Sequence, residues 1–148
     1  MSKLGVLDTT VQKTHEWLRD VKDGLGLDDD HAAYAALRAT LHALRDQLQT
    51  DHVAQLGAQL PILVRGIYYE GWNPASALAG GLRRHDFLDS IRRELREHLE
   101  LHDAEYVARI VLDVMTMHVT PEEIDKIVKS LPREVRVLWP NPSLQNAP

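Results

Sequence analysis

The chain contains no cysteine, only one phenylalanine, and no apolar run long enough to cross a membrane. Without cysteine, neither a disulfide framework nor a thiolate metal site can form. A membrane-spanning helix needs about 18 or more consecutive apolar residues, and the segment after Met1 lacks the apolar core of a signal peptide. These absences predict a cytoplasmic protein that has no membrane segment.

Signatures of catalysis and of nucleic-acid binding are also missing. The sequence has no glycine-rich phosphate loop, no nucleophile elbow and no His-Glu-x-x-His motif. Its net charge is −5, and the arginines of residues 83–96 alternate with acids, which is typical of a solvated helix face. We therefore expect no nucleic-acid partner and no cofactor, and we favour a non-catalytic role because no acid–base–nucleophile set can be named.

An internal repeat is the most informative feature that is present. Leu60-Pro61, followed by Val64, Ile67 and Tyr68, returns 71 residues later as Leu131-Pro132, followed by Val135, Leu138 and Trp139. A repeat of this length is one supersecondary unit stacked on its copy. The pattern predicts one domain over residues 1–148, with repeats at about 9–72 and 84–140, a linker at about 73–83 and a loose tail at 141–148.

Every convincing hydrophobic period is helical. It predicts an all-α fold, a single compact bundle of about eight helices built from two pseudo-repeated four-helix units. The longer helices are expected over residues 9–24, 31–49, 84–100 and 103–118, and the last of these is apolar almost all round, as a central helix should be. Expected helix ends include Gly26, the acids of residues 28–30, Thr50 or Asp51, and Thr120 followed by Pro121.

The segment from Arg65 to Trp72 is the best candidate for recognition. Together with Arg65, the side chains of Tyr69, Glu70 and Trp72 place a cation, an acid and two large aromatics beside glycines. Such residues commonly anchor a partner protein or a planar ligand. The alternative is that the aromatics only pack, with Tyr68 in the core and Trp72 fastening the linker.

Two arginines occupy equivalent places in the repeats. Arg38 corresponds to Arg109, and the acids Glu16 and Asp86 also correspond. An arginine in a mostly apolar helix needs a partner, so we interpret these residues as one structural ion pair in each repeat. An anion-binding role for the arginines is the alternative.

The histidines permit a metal site as a second hypothesis. Glu94, His98 and His102 are spaced four apart, so one helix face could present all three to a divalent metal. The competing interpretation is that these histidines merely favour the negative end of a helix. His42 corresponds to Asp113 and would meet it if a pseudo-twofold axis passed between the second and sixth helices, although we prefer an exposed His42 beside Arg38 and Arg45.

The runs at residues 36–46 and 57–72 resemble the bacterial family known as domain of unknown function 2267. The second run, from Gly57 to Trp72, carries the more specific likeness, and the resemblance extends over about residues 10–140 as two tandem copies. It implies a small all-helical protein often placed among stress-response genes, and it implies no catalytic residue. We therefore expect a binding or interaction module that presents the edge at residues 65–72 to a protein partner or to a second copy. The alternative is a ligand- or metal-binding bundle.

Overall fold

The computed structural model describes residues 4–74 and 84–140. Eight α-helices account for most of them, and these residues contain no strand. The helices are α1 (Gly5–Leu25), α2 (Asp30–Arg45), α3 (Thr50–Gln59), α4 (Ile62–Tyr69), α5 (Arg84–Leu95), α6 (Ala104–His118), α7 (Pro121–Ser130) and α8 (Arg133–Arg136). A 3-10 turn, Leu99–Leu101, lies between α5 and α6. The predicted all-α bundle is confirmed, while the predicted tail and most of the predicted linker lie outside the described residues.

Several helix ends form as their local chemistry requires. Gly26 ends α1 with a positive φ of 69°, a conformation that glycine adopts without steric cost. The Asp29 side chain caps α2 by accepting from the backbone N–H groups of His31 and Ala32. Thr120 caps α7, which begins at Pro121. The prediction for α3 was wrong, since Gln49 is its cap residue and Thr50 is already helical.

The core is centred on α2 more than on α6. Eleven of the 16 residues of α2 are buried, and α2 packs against α1, α4, α5 and α6. Its alanines make this possible, because small side chains let several neighbours approach at once. The expectation that α6 is the central element was therefore only partly correct: α6 packs against α1, α2 and α5, but Met117 is 61% exposed.

The two halves pack in matching ways. Contacts of α1 with α2 and with α6 have counterparts in those of α5 with α6 and with α2, while α3 packs on α7. The junction residues also match, since Leu60 has φ/ψ of −88°/145° and Leu131 has −87°/150°. Two copies related by a pseudo-twofold axis produce such a pattern. The internal repeat and the single domain stay predictions, which these matches support.

No helix within the described ranges is both long and apolar enough to span a membrane.

Candidate functional site

Arg65, the first residue of the predicted edge, fastens one helix end to another. Its Nε donates to the carbonyl of Gly57 at 2.8 Å, and its Nη2 donates to that of Leu60 at 3.1 Å. These carbonyls lie at the end of α3, where a helix leaves acceptors unsatisfied. Arg136 makes the equivalent bond to Leu131 at 3.2 Å. The bonds of Arg65 are therefore structural, although its half-buried side chain also lines a surface groove described below.

The two aromatics of the edge lie partly on the core. Tyr69 and Trp72 are both half-buried, and their ring centroids are 5.6 Å apart. The Tyr69 hydroxyl lies against Gly57, at a place that a larger residue would occupy. Tyr68 is fully buried and donates its hydroxyl to the carbonyl of Val53 at 2.9 Å, and burial raises the pKa of this phenol far above its usual range. Packing thus explains much of what these rings do.

Glu70 belongs to an ion-pair network that the edge shares with two other helices. Arg38 on α2 binds Glu70 Oε1 through Nε at 2.6 Å and through Nη2 at 2.5 Å. Its Nη1 donates to Glu94 Oε2 on α5 at 3.1 Å. Partial burial alone would lower the pKa of Arg38, but the hydrogen bond that Arg38 donates to Glu70 and the negative charge of Glu94 outweigh that effect and raise the pKa. The structure thus pairs Arg38 with Glu70 and Glu94 in place of the predicted Glu16.

His42 extends this network into the core. It is only 4% exposed, in contrast to the exposed position that we preferred from the sequence. Its Nδ1 lies 2.8 Å from Glu94 Oε1 and its Nε2 lies 2.7 Å from the carbonyl oxygen of Ile67. A carbonyl only accepts, so Nε2 is the donor to Ile67, while Nδ1 forms the hydrogen-bonded contact with the Glu94 carboxyl group. His42 therefore joins the ion-pair network to the backbone of α4.

Arg45 is a residue whose role the sequence did not reveal. It is 5% exposed, and its Nη1 donates to the carbonyls of Tyr68 at 2.9 Å and Glu70 at 2.8 Å. Asp46 balances its charge at 2.9 Å from Nε. Arg45 thus holds the end of α4, which positions Glu70 for its ion pair with Arg38.

A cavity of about 310 Å³ opens beside the network, between α2 and the end of α5. Its lining combines one guanidinium, one carboxylate, two imidazoles and one phenol, from Arg38, Glu94, His31, His98 and Tyr34. Cavities that hold small ligands begin at about this size. Glu94 and His98, two members of the predicted metal trio, therefore do lie in one place.

The full metal trio is not assembled. His102 lines a different cavity, beside Leu25 and Tyr106. Across residues 4–74 and 84–140, no group of three or more His, Asp or Glu side chains is arranged to hold a metal ion. The predicted four-residue spacing fails because α5 ends at Leu95 and the chain changes direction before His98. The pairing of His42 with Asp113 also fails, since Asp113 is exposed and Glu94 is the carboxylate beside His42.

The remaining predicted ion pair involves Arg109. Its Nε lies 3.7 Å from Glu105 on the same helix, and its Nη1 donates to the carbonyls of Val137 and Leu138 at 3.3 Å each. Arg109 therefore fastens α8 to α6. The proposed partnership of Arg109 with Asp86 stays a prediction.

A second surface feature lies where α1 and α4 begin. Nine large apolar side chains are exposed in the described part of the chain, and six of them are here: Leu4, Val6, Leu7, Val11, Ile62 and Leu63. The backbone N–H of Leu63 donates to Thr10 Oγ1 at 2.9 Å, which joins the two helix starts. Between them runs a groove of about 300 Å³ lined by Val6, Leu60, Pro61, Ile62, two threonines, Lys13 and Arg65.

A family model supplies the relationship to known proteins. The model described as "Uncharacterized conserved protein (DUF2267)" matches residues 14–138. The chain belongs to this family. The matched residues include the whole Arg38–His42–Glu94 network and the α4 side of the groove, whereas Val6 and its neighbours on α1 precede them. A search of curated proteins gives no match.

Sequence reasoning missed the groove and the position of His42 for different reasons. The helical spacing of Val6, Thr9 and Lys13, which line the groove, was visible in the sequence, but the exposure of this helix face depends on which neighbours pack on α1. Glu94 lies 52 residues from His42, so no short motif joins them. A usable signal was the failure of the repeat at His42, whose counterpart is the acid Asp113.

Proposed function

We propose that this DUF2267 protein is a non-catalytic protein-binding module, and that its partner occupies the groove between the starts of α1 and α4. The observation that carries the proposal is that six of the nine large apolar side chains exposed in the described residues lie at the starts of α1 and α4, and that two of them, Val6 and Ile62, line the groove. Contiguous exposed apolar surface on a water-soluble fold is typical of interaction sites. The site lies next to Arg65, at one end of the edge expected from the sequence.

The chemistry of the groove indicates what kind of segment it binds. Its apolar lining includes Val6, Pro61 and Ile62, while its only charged lining residues within the described structure are the cations Lys13 and Arg65. A chain with a net charge of −5 thus presents a locally positive groove. The fitting partner is a peptide segment, helical or extended, that inserts apolar side chains and carries carboxylates beside them.

Matched synthetic peptides test this preference. Two peptides share one amphipathic apolar pattern and differ only in carrying Glu or Lys at every polar position. We expect fluorescence anisotropy to show binding of the Glu peptide and weak or no binding of the Lys peptide. Lys13→Glu should reduce binding of the Glu peptide about tenfold, since like charges in an interface cost affinity. Lys126→Glu makes the same charge change on an exposed residue of α7 and should have little effect.

Three results would contradict the proposal. Equal binding of both peptides would show adhesion to any apolar segment, and binding of neither would leave the groove without its proposed occupant. If Ile62→Ser instead abolished a concentration-dependent dimer of the free protein, a second copy would be the occupant. Met117→Ser, which removes an apolar side chain of similar exposure elsewhere, is the control for Ile62→Ser.

The cytoplasmic location and the connection to stress response stay predictions, and the binding proposal does not depend on either.

A further inference from the structure

Arg38 and Arg109, which occupy equivalent positions in the two repeats, form different hydrogen bonds. Arg109 donates from Nη1 to the backbone carbonyls of Val137 and Leu138, and these hydrogen bonds hold α8 in place. Under the 71-residue offset, the counterpart of Leu138 is Ile67. The Ile67 carbonyl is held by His42 instead, at 2.7 Å. Arg38 therefore does not bind the carbonyl that corresponds to the one Arg109 binds, because His42 occupies it.

The residues that replace Arg38 are unique to the first half. His42 corresponds to Asp113 and Arg45 corresponds to Thr116, so neither substitute exists in the second half. Both substitutes are buried, and together they hold the carbonyls of Ile67, Tyr68 and Glu70. A buried histidine and a buried arginine are costly ways to satisfy backbone carbonyls. Their presence leaves the guanidinium of Arg38 at the surface, beside the cavity.

Arg38 binds carboxylates in the free protein. Two of its nitrogens meet Glu70 Oε1, and a third meets Glu94 Oε2. Glu94 is held in place by His42, but the Glu70 side chain is 54% exposed, so water and solutes can reach it. A guanidinium binds carboxylates through a fork of parallel N–H groups, and a free carboxylate can replace an exposed one in that fork.

The rest of the cavity has room for the organic part of a small molecule whose carboxylate binds Arg38. Tyr34, His31 and His98 provide rings and polar edges around a volume of about 310 Å³. We propose that this cavity binds a small organic carboxylate whose oxygens displace Glu70 from Arg38, while Glu94 and His42 keep the guanidinium in position. This site is separate from the protein-binding groove and does not rest on it.

The experiment uses pairs of small acids and their neutral amides. Benzoate with benzamide, and hexanoate with hexanamide, are titrated into the ¹⁵N-labelled full chain, and chemical shifts are followed by NMR. Inorganic phosphate is titrated in parallel at equal ionic strength. We expect at least one acid to shift resonances of residues around the cavity, with its amide at least tenfold weaker and phosphate weaker than the acid.

Variants separate a site from general electrostatic attraction. Arg38→Gln should abolish acid binding, and Arg38→Lys should weaken it because the fork is lost. Glu70→Gln should tighten binding by about two- to fivefold, since it removes an internal competitor of the strength of an exposed ion pair. Arg133→Gln, an exposed arginine on α8, is the matched control and should leave binding unchanged.

If neither benzoate nor hexanoate bound to the wild type or to Glu70→Gln, the proposal would be overturned. Equal binding of phosphate would also overturn it, because the site would then lack selectivity for carboxylates. Shifts that persist in Arg38→Gln would place the bound acid elsewhere. None of these results would bear on the peptide experiment, so failure of one proposal is distinguishable from failure of the other.

Discussion

Replacing His42 with alanine gives the sharpest test of the buried network. The imidazole serves two acceptors at 2.8 and 2.7 Å, Glu94 Oε1 and the Ile67 carbonyl, and is itself 4% exposed. His42→Ala leaves the Ile67 carbonyl with only the longer bond from the Glu70 backbone N–H, at 3.3 Å, in a region that water barely reaches. The loss of His42 costs Glu94 less free energy, because Arg38 still binds the other carboxylate oxygen and the Glu94 side chain is 28% exposed.

The magnitude follows from the two bonds. A buried acceptor that loses its donor costs about 1–3 kcal/mol. Both acceptors keep one other donor, so counting each in part we expect the free energy of unfolding to fall by about 2 kcal/mol. For a chain of this size, that corresponds to a Tm lower by about 4–8 °C. Urea denaturation followed by circular dichroism measures the free energy directly.

His15→Ala is the matched control, because His15 is an exposed histidine on α1. It should change stability by less than about 0.5 kcal/mol, as surface substitutions usually do. If His42→Ala were as mild as His15→Ala, the two buried bonds would not exist in solution. The argument that His42 holds Glu94, and through it Arg38, in position would then fail.

Two further predictions concern glycine and tyrosine. Gly57→Ala should destabilise the protein, because the new methyl group would overlap the Tyr69 ring, whose Cζ would lie 2.8 Å from the methyl carbon. Gly66→Ala should stabilise α4 by about 0.5–1 kcal/mol, because a methyl group there has no atom within 4 Å and alanine favours the helix. Thermal melts of the two variants compare these effects. Equal melting temperatures would refute the close contact at Gly57. Burial raises the pKa of Tyr68, so above about pH 10 the folded state keeps a proton that the unfolded state loses, and stability falls as pH rises. Tyr68→Phe should flatten this part of the stability-against-pH curve, and an unchanged slope would contradict the assignment.

Helix positions were accessible from the sequence because their determinants are local. Gly26, Asp29 and Thr120 act within a few residues of the helix ends that they define, and the structure confirms each of them. The end of α5 was misplaced because the apolar period continues through Leu99, whereas the helix itself stops at Leu95. Periodicity reports which side chains face the core, and a 3-10 turn can satisfy the same pattern.

The candidate sites were less accessible because they join distant parts of the chain. Arg38 meets partners 32 and 56 residues away, and the groove joins Thr10 to Leu63 across 53 residues. Repeat equivalence correctly singled out Arg38 as a residue that needs acids, but it could not say which acids the fold would bring near. Within the edge at residues 65–72, Arg65 binds carbonyls at the end of α3, whereas Glu70 forms an ion pair with Arg38. Sequence spacing alone could not separate these two roles.

Site-specific cross-linking from the groove tests the protein-binding proposal most directly. The chain has no cysteine, so Ile62→Cys and Met117→Cys each accept a single benzophenone label, which is activated by light after the protein is returned to host extract. The proposal predicts a discrete cross-linked product from position 62 alone, attached at an apolar segment flanked by Asp or Glu. It would be contradicted by identical products from both positions, by a product of two copies of this chain, or by attachment to segments without acidic flanks.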